Sequence, residues 1–275
     1  MAINYELLKK IMCFHRSNTD IITGENPPYH RHEDRYEVYM YVKGNTRFYI
    51  EDKCYIMTPG NLAIIRPGVL HRLIINDSSP YERIVINIGK EVLNELSTPR
   101  TVLSECFDRI DEASIITLLM KDMKLYIHYV DEYLTLAGSN EYGADIMSAN
   151  AVTRLLIYIN TLFMEKKQVR HKNVMPDLVK ETMRYIDDNL TDGISLSDIS
   201  SHLNYSSNYI GMVFKEHTGM TVHGYILDKR IETAKKLLLS GKNVSDACEL
   251  SGFNDYANFI RTFRKMTGVS PGKYR

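Results

Sequence analysis

The sequence predicts an α+β protein of two domains, a small β-barrel with helices appended and then an all-helical unit, and three observations predict it. Short alternating or apolar runs separated by turn signals fill residues 20–89. The apolar spacing becomes helical from about residue 112. A segment near the C-terminus then repeats itself, 196–219 aligning with 244–268 once Asn254 is treated as an insertion in the second copy.

The chain has 275 residues, more than one ordinary domain of roughly 100 to 200 residues. Its 44% hydrophobic and 25% charged content is that of a soluble globular protein and excludes disordered and collagen-like classes. No window approaches the roughly 20 consecutive apolar residues of a spanning helix, and the first ten residues lack a secretory charge-apolar-small pattern. The expectation is a cytoplasmic protein with no membrane partner. Cys13, Cys54, Cys106 and Cys248 share no metal-binding or disulfide spacing and read as reduced, mostly buried thiols.

In the first domain, strands are expected over 36–42, 46–51, 54–57, 62–65, 71–75 and 83–88, punctuated by Lys43-Gly44-Asn45, Pro59-Gly60-Asn61 and Arg66-Pro67-Gly68. Alternation along the first of these puts Glu37, Tyr39 and Tyr41 on one face and Val38, Met40 and Val42 on the other. Helical spacing follows, with Ile115, Leu118, Leu119, Met123 and Tyr126 on one helix. Val152, Leu155, Leu156, Ile159 and Leu162 lie on another, after a break at Ala137-Gly138-Ser139-Asn140. These two helices are expected to cover the barrel, to form a dimer interface, or both. The polar stretch after Lys166 reads as a linker. The expected boundaries are 1–111 for the barrel, 112–167 for the helical cover or dimerisation region, 168–175 for the linker and 176–275 for the last domain.

In each copy of the repeat a short helix (apolar Leu196 and Ile199; Val244 and Ala247) meets a turn at Asn204 or Gly252, residues that tolerate a left-handed backbone. Ser206 or Asp255 then caps a second helix, which buries Ile210, Val213 and Phe214 or Phe259 and Phe263 and stops at Thr-Gly. This is a helix, a turn and a second helix, twice. Between the copies, 222–239 reads as one long helix with Ile226, Ile231, Ala234, Leu237 and Leu238 inward and Gly241 at its end. Such a connector suits two recognition helices placed in successive major grooves roughly 34 Å apart. Although the whole chain is formally neutral, from Tyr205 onward eleven basic residues face six acids, a local surplus of five.

Gly252-Phe253, Phe263-Arg264-Lys265, Gly268 and the ending Ser270-Pro271-Gly272-Lys273-Tyr274-Arg275, with Tyr225 and Arg230-Ile231, resemble the DNA-binding domain of the AraC/XylS family. The resemblance spans 174–275 and implies a regulator of transcription bound to double-stranded DNA, with RNA polymerase as a partner if it activates. Carried over by position, the groove-facing residues are Ser207, Asn208, Gly211 and Met212 in the first copy and Tyr256, Ala257, Asn258 and Arg261 in the second. Arg261 suits guanine and the two asparagines adenine, while Ser206 and Lys265 suit phosphate. Solvation of a helix surface is the alternative role for the asparagines.

Gly24-x5-His30-x-His32-x4-Glu37-x6-Gly44 has the spacing of the first signature of cupins, and Pro67-Gly68-x2-His71 resembles a shortened second one. The resemblance implies a cupin-like double-stranded β-barrel, in which His30, His32, Glu37 and His71 hold a divalent transition metal or hydrogen-bond a polar effector. If Glu37 faces the interior, Tyr39 and Tyr41 do too, and such a pocket suits a sugar or similar polar metabolite. The chain then reads as a homodimeric regulator responsive to a small-molecule effector. A metal-dependent cupin enzyme fused to a DNA-binding domain is the alternative.

Overall fold

The computed structural model describes residues 11–17, 27–110, 113–165 and 175–274, which fall into two compact units, Met1–Asn173 and Val174–Arg275. Gly24 of the first signature and residues 168–174 of the expected linker lie outside the described residues.

In the first unit the strands are β1 (Met12–Ser17), β2 (Arg35–Lys43), β3 (Thr46–Ile50), β4 (Lys53–Ile56), β5 (Asn61–Ile65), β6 (His71–Ile75), β7 (Glu82–Gly89) and β8 (Ala113–Thr117). All pair antiparallel, in a five-stranded sheet ordered β1-β7-β2-β5-β8 and a three-stranded sheet ordered β4-β3-β6. The alternation read from the sequence decides the layering. Tyr39, Tyr41, Val85 and Ile115 point between the sheets and pack with Phe48, Ile50 and Leu73. Val38, Met40, Ile84, Ile86 and Ile116 point the other way. That outer face meets four helices: α1 (Lys90–Leu96), α2 (Glu105–Asp108), α3 (Met120–Ala137) and α4 (Ala144–Glu165). With both faces covered, β2 and β5 are buried nearly end to end and read as apolar runs.

One expectation needs correction. The first long helix starts at Met120, and Ala113–Thr117 is a strand paired with β5, so Ile115 belongs to the barrel interior and Leu119 is exposed. The consecutive β-branched Ile115-Ile116-Thr117 favour an extended chain over the helical spacing that Ile115 shares with the residues after it. α4 is long and apolar enough to cross a membrane by length and composition alone, but half of that window is buried inside the structure and its inward side covers the sheet, as in a core helix.

The second unit is helical: α5 (Asp177–Asp188), α6 (Leu196–Leu203), α7 (Ser207–Thr218), α8 (Val222–Leu239), α9 (Val244–Leu250), α10 (Tyr256–Thr267) and a short 3-10 turn at Pro271–Lys273. The long helix α8 has 18 residues and so runs about 27 Å between the repeats. Its Ile231, Ala234 and Leu238 pack with Ala247, Cys248, Phe253, Phe259 and Phe263. Its N-terminal end packs Tyr225 edge-on to Phe214 of α7, 5.4 Å between ring centres.

Candidate nucleic-acid interface and barrel ligand site

The repeat extends to its hydrogen bonds. Ser195 caps α6 reciprocally with Asp198, and Asn243 caps α9 by accepting from the Asp246 amide at 2.8 Å. The turns sit in the left-handed region at Asn204 (φ 56°) and Gly252 (φ 86°). Ser206 then accepts from the Tyr209 amide at 3.3 Å, and Asp255 from the Asn258 amide at 2.5 Å, fixing where α7 and α10 begin. Both end alike. The Thr218 hydroxyl donates to the Phe214 carbonyl at 2.7 Å and accepts from the Met220 amide, while Thr267 donates to Phe263 at 2.8 Å and accepts from Val269.

Burial of Ile210, Val213 and Phe214 turns the opposite side of α7 outward, leaving Asn208 and Met212 exposed and Ser207 and Gly211 partly so. Phe259 and Phe263 do the same for α10, whose Tyr256, Ala257, Asn258, Arg261 and Lys265 are all exposed. The two surfaces differ in chemistry. α10 offers a guanidinium, a phenol and an amide, the last of which accepts from the Thr262 hydroxyl at 3.4 Å. α7 offers one amide, a thioether and a bare glycine. Beside Asn208, Tyr205 and Tyr209 are half exposed with ring centres 5.8 Å apart, an aromatic surface the apolar spacing did not mark.

Arg230 of α8 donates to the carbonyls of Leu190 (3.0 Å) and Asp192 (2.6 Å), tying α8 to the turn between α5 and the first repeat. Gly252 lies against the same turn: a β-carbon there would stand 2.5 Å from the Leu190 carbonyl oxygen and 2.9 Å from Thr191 Cα. Gly252 is therefore required twice, for its positive φ and for this close approach.

In the barrel, His30 and His71 bridge backbone to backbone, β6 carries His71, and the start of β2 carries Glu37. Glu37 Oε2 lies 2.8 Å from His32 Nε2 and 3.4 Å from His71 Nε2, and the carboxylate is 5% exposed. Desolvation alone would raise this carboxyl, but the hydrogen bonds from His32 and His71 outweigh it and hold it well below the usual range. Burial opposes the charged form of His71, and Glu37 outweighs that burial and raises the imidazole. His30, although its outer edge is exposed, is lowered to about 4 by desolvation and by His71.

Ligand atoms of His30, His32 and His71 all lie within 4.8 Å of one another. The Nδ1 atoms of His30 and His71 face the carbonyls of Pro28 (3.3 Å) and Val69 (3.0 Å). A carbonyl only accepts, so Nδ1 of each ring carries a proton; Nε2 of the neutral His30 ring keeps its lone pair, and Nε2 of His71 faces the Glu37 carboxylate, to which it donates when the imidazole is charged. That is the orientation of a metal-ligating histidine, and with Glu37 the set fits a divalent transition metal.

All four cluster residues expected from the sequence are thus brought together, but Tyr39 and Tyr41 are not part of the cluster. Both are buried in the barrel core. Tyr39 stacks on Phe48, which stands between it and His71, and its hydroxyl is 2.5 Å from that of Tyr81, itself a partner of Arg83. Sequence reasoning missed Asn87, which pairs across the sheet with Glu37 and keeps its side-chain carbonyl buried without a hydrogen-bond partner among the described residues. Its signal was a lone polar residue within Ile84-Val85-Ile86-Asn87-Ile88.

The profile of the family described as "Helix-turn-helix domain" matches residues 199–275, and that described as "Cupin domain" matches 19–87. The chain is 32% identical over 107 residues to the HTH-type transcriptional activator AarP of Providencia stuartii, covering 38% of this chain and 79% of AarP. It is 27% identical over 250 residues to the "Probable transcriptional regulator LumQ" of Photobacterium leiognathi, covering 90% of this chain and 91% of that one. Among solved structures, unsaturated fatty acid bound ToxT from Vibrio cholerae aligns over 96% of this chain and 94% of its own, at 12% identity and a TM-score of 0.41. With the helix-turn-helix profile falling on the doubled unit and its paired caps, and AarP 32% identical and covered over 79% of its length, the chain belongs to the AraC/XylS family of DNA-binding transcription regulators and carries an N-terminal cupin domain.

Proposed function

We propose that this regulator reads an asymmetric DNA site with α7 and α10 in successive major grooves, and that most base recognition belongs to α10. The observation that carries the reading is the unequal chemistry of the two outward helix faces: Asn208, Gly211 and Met212 against Tyr256, Asn258 and Arg261. Arg261 pairs two donors with a guanine edge, Asn258 suits adenine, and Ser206 and Lys265 meet phosphates. Arg261→Ala is expected to weaken binding to the cognate duplex by about 1–3 kcal/mol, roughly 5- to 150-fold, and to relax one base preference. A gel-shift titration at fixed salt that finds unchanged affinity would contradict it.

The barrel supplies the control. A small polar metabolite such as a sugar, seated at His30, His32, Glu37 and His71, shifts the regulator between states of different DNA affinity. The buried and hydrogen-bonded carboxylate favours this reading, because with His32 and His71 beside it directed polar contacts gather in one place. The regulator works in the cytoplasm, and it contacts RNA polymerase where it activates.

A second reading is favoured by the three converging imidazoles: the cluster holds a divalent metal, as a sensor or as the centre of a cupin enzyme fused to the DNA-binding domain. Bound there, the metal would supply Lewis-acid chemistry. Protein purified without chelators is expected to carry one transition-metal ion per chain on this reading, and elemental analysis that finds none would discard it.

A further inference from the structure

Asn87 stands apart from the rest of its strand. It lies in β7 among Ile84, Val85, Ile86 and Ile88, in a setting that disfavours asparagine. It pairs directly across the sheet with Glu37, so the two side chains leave the same face, with β-carbons roughly 5 Å apart. That face is the inner one, because Val85, two residues earlier, packs between the sheets with Tyr39 and Phe48. Asn87 is 6% exposed, and its side-chain carbonyl oxygen is buried without a hydrogen-bond partner among the described residues.

A buried amide oxygen left unpartnered weakens a fold, and an apolar side chain of similar shape would avoid that penalty. What the position gains is an acceptor in the barrel interior beside Glu37, whose carboxylate meets His32 and His71. Ligand atoms of those two imidazoles and of His30 lie within 4.8 Å of one another. Three imidazoles and one carboxylate supply four ligands, and an octahedral ion has further positions that water fills. Such water is a hydrogen-bond donor, and a fixed acceptor beside the site orients it. We infer that Asn87 is a positioning residue of a metal centre at this cluster, its carbonyl oxygen accepting a hydrogen bond from water held on the ion. The inference rests on the metal reading of the barrel, and Asn87 lies outside both sequence signatures that mark the cluster.

The test titrates chelator-treated full-length protein with cobalt(II), read by its visible absorption, and records thermal melts without metal. His32→Ala, which removes one imidazole, is the blank. The unsubstituted protein is expected to bind one ion per chain. Asn87→Leu, close to asparagine in shape, and the smaller Asn87→Ala are each expected to weaken cobalt(II) binding about 10- to 100-fold. Without metal, Asn87→Leu is expected to melt no lower than the unsubstituted protein, since it removes an unpartnered polar atom. Asn87→Asp keeps an oxygen at the position and is expected to bind at least as tightly as the unsubstituted protein. A purely structural amide gives the reverse pattern, a lower melting temperature with unchanged affinity. That pattern, or Asn87→Asp binding as weakly as Asn87→Leu, overturns the inference and leaves the metal reading standing. If the unsubstituted protein binds no cobalt(II), or binds it no better than His32→Ala does, both fall together.

Discussion

Gly252→Ala is expected to destabilise the DNA-binding unit by about 3–5 kcal/mol, a large share of the roughly 5–15 kcal/mol that holds a domain folded. The left-handed conformation at φ 86° costs a residue with a β-carbon about 1–2 kcal/mol by itself. The new atom also falls 2.5 Å from the Leu190 carbonyl oxygen and 3.0 Å from Arg230 Nε, both members of the hydrogen bond that ties α8 to the end of α5. Relieving the clash requires the turn at Leu190 and Thr191 to shift or that hydrogen bond to break. Denaturant unfolding measures the loss, and Gly272→Ala, where a β-carbon meets nothing within 4 Å, serves as the control. Equal stability of the two variants would refute the idea that this turn and its close approach require glycine.

Glu37→Ala is expected to lower the stability of the barrel unit by about 2–4 kcal/mol near pH 6, because it leaves the buried His71 imidazole without its carboxylate. The pH dependence has a definite sign on each side. The depressed Glu37 carboxyl contributes stability that is present above its ordinary value of about 4.3 and is lost as pH falls through its folded value. The raised His71 contributes stability that is complete below about 6.5 and is lost as pH rises through its folded value. The gap between wild type and variant should therefore be widest between about pH 4.5 and 6.5 and shrink on both sides. Thermal melts of chelator-treated protein from about pH 4 to 9 would show this, and a gap constant with pH would contradict it.

The parts of this architecture that were legible in the sequence are those where one physical rule acts alone. Strands β2 to β7 stood out because glycine, proline and asparagine turns bound each of them, and both turn-and-cap sets of the repeat carry residues chosen for the backbone they adopt. Strand β8 was misread because Ile115 lies at helical spacing from Leu118 and Leu119, just ahead of a true helix. The histidines and Glu37 were found by spacing, since one strand and one bridged loop hold three of them. Tyr39 was assigned to the correct face but the wrong neighbourhood, because alternation gives a direction and says nothing of Phe48 arriving from the other sheet. Asn87 stayed hidden for a related reason: what marks it is a missing partner, and partners are known only once strands and helices are packed.

The central claim is that two unlike recognition helices, spaced by α8, read one asymmetric DNA site. Selection of duplexes from a random pool by the intact protein tests it most directly. The expected outcome is two different sub-motifs centred roughly 10–10.5 base pairs apart, one of which loses a guanine preference when the selecting protein is Arg261→Ala while the other is unchanged. A single sub-motif, or an identical selection by the variant, would contradict the account.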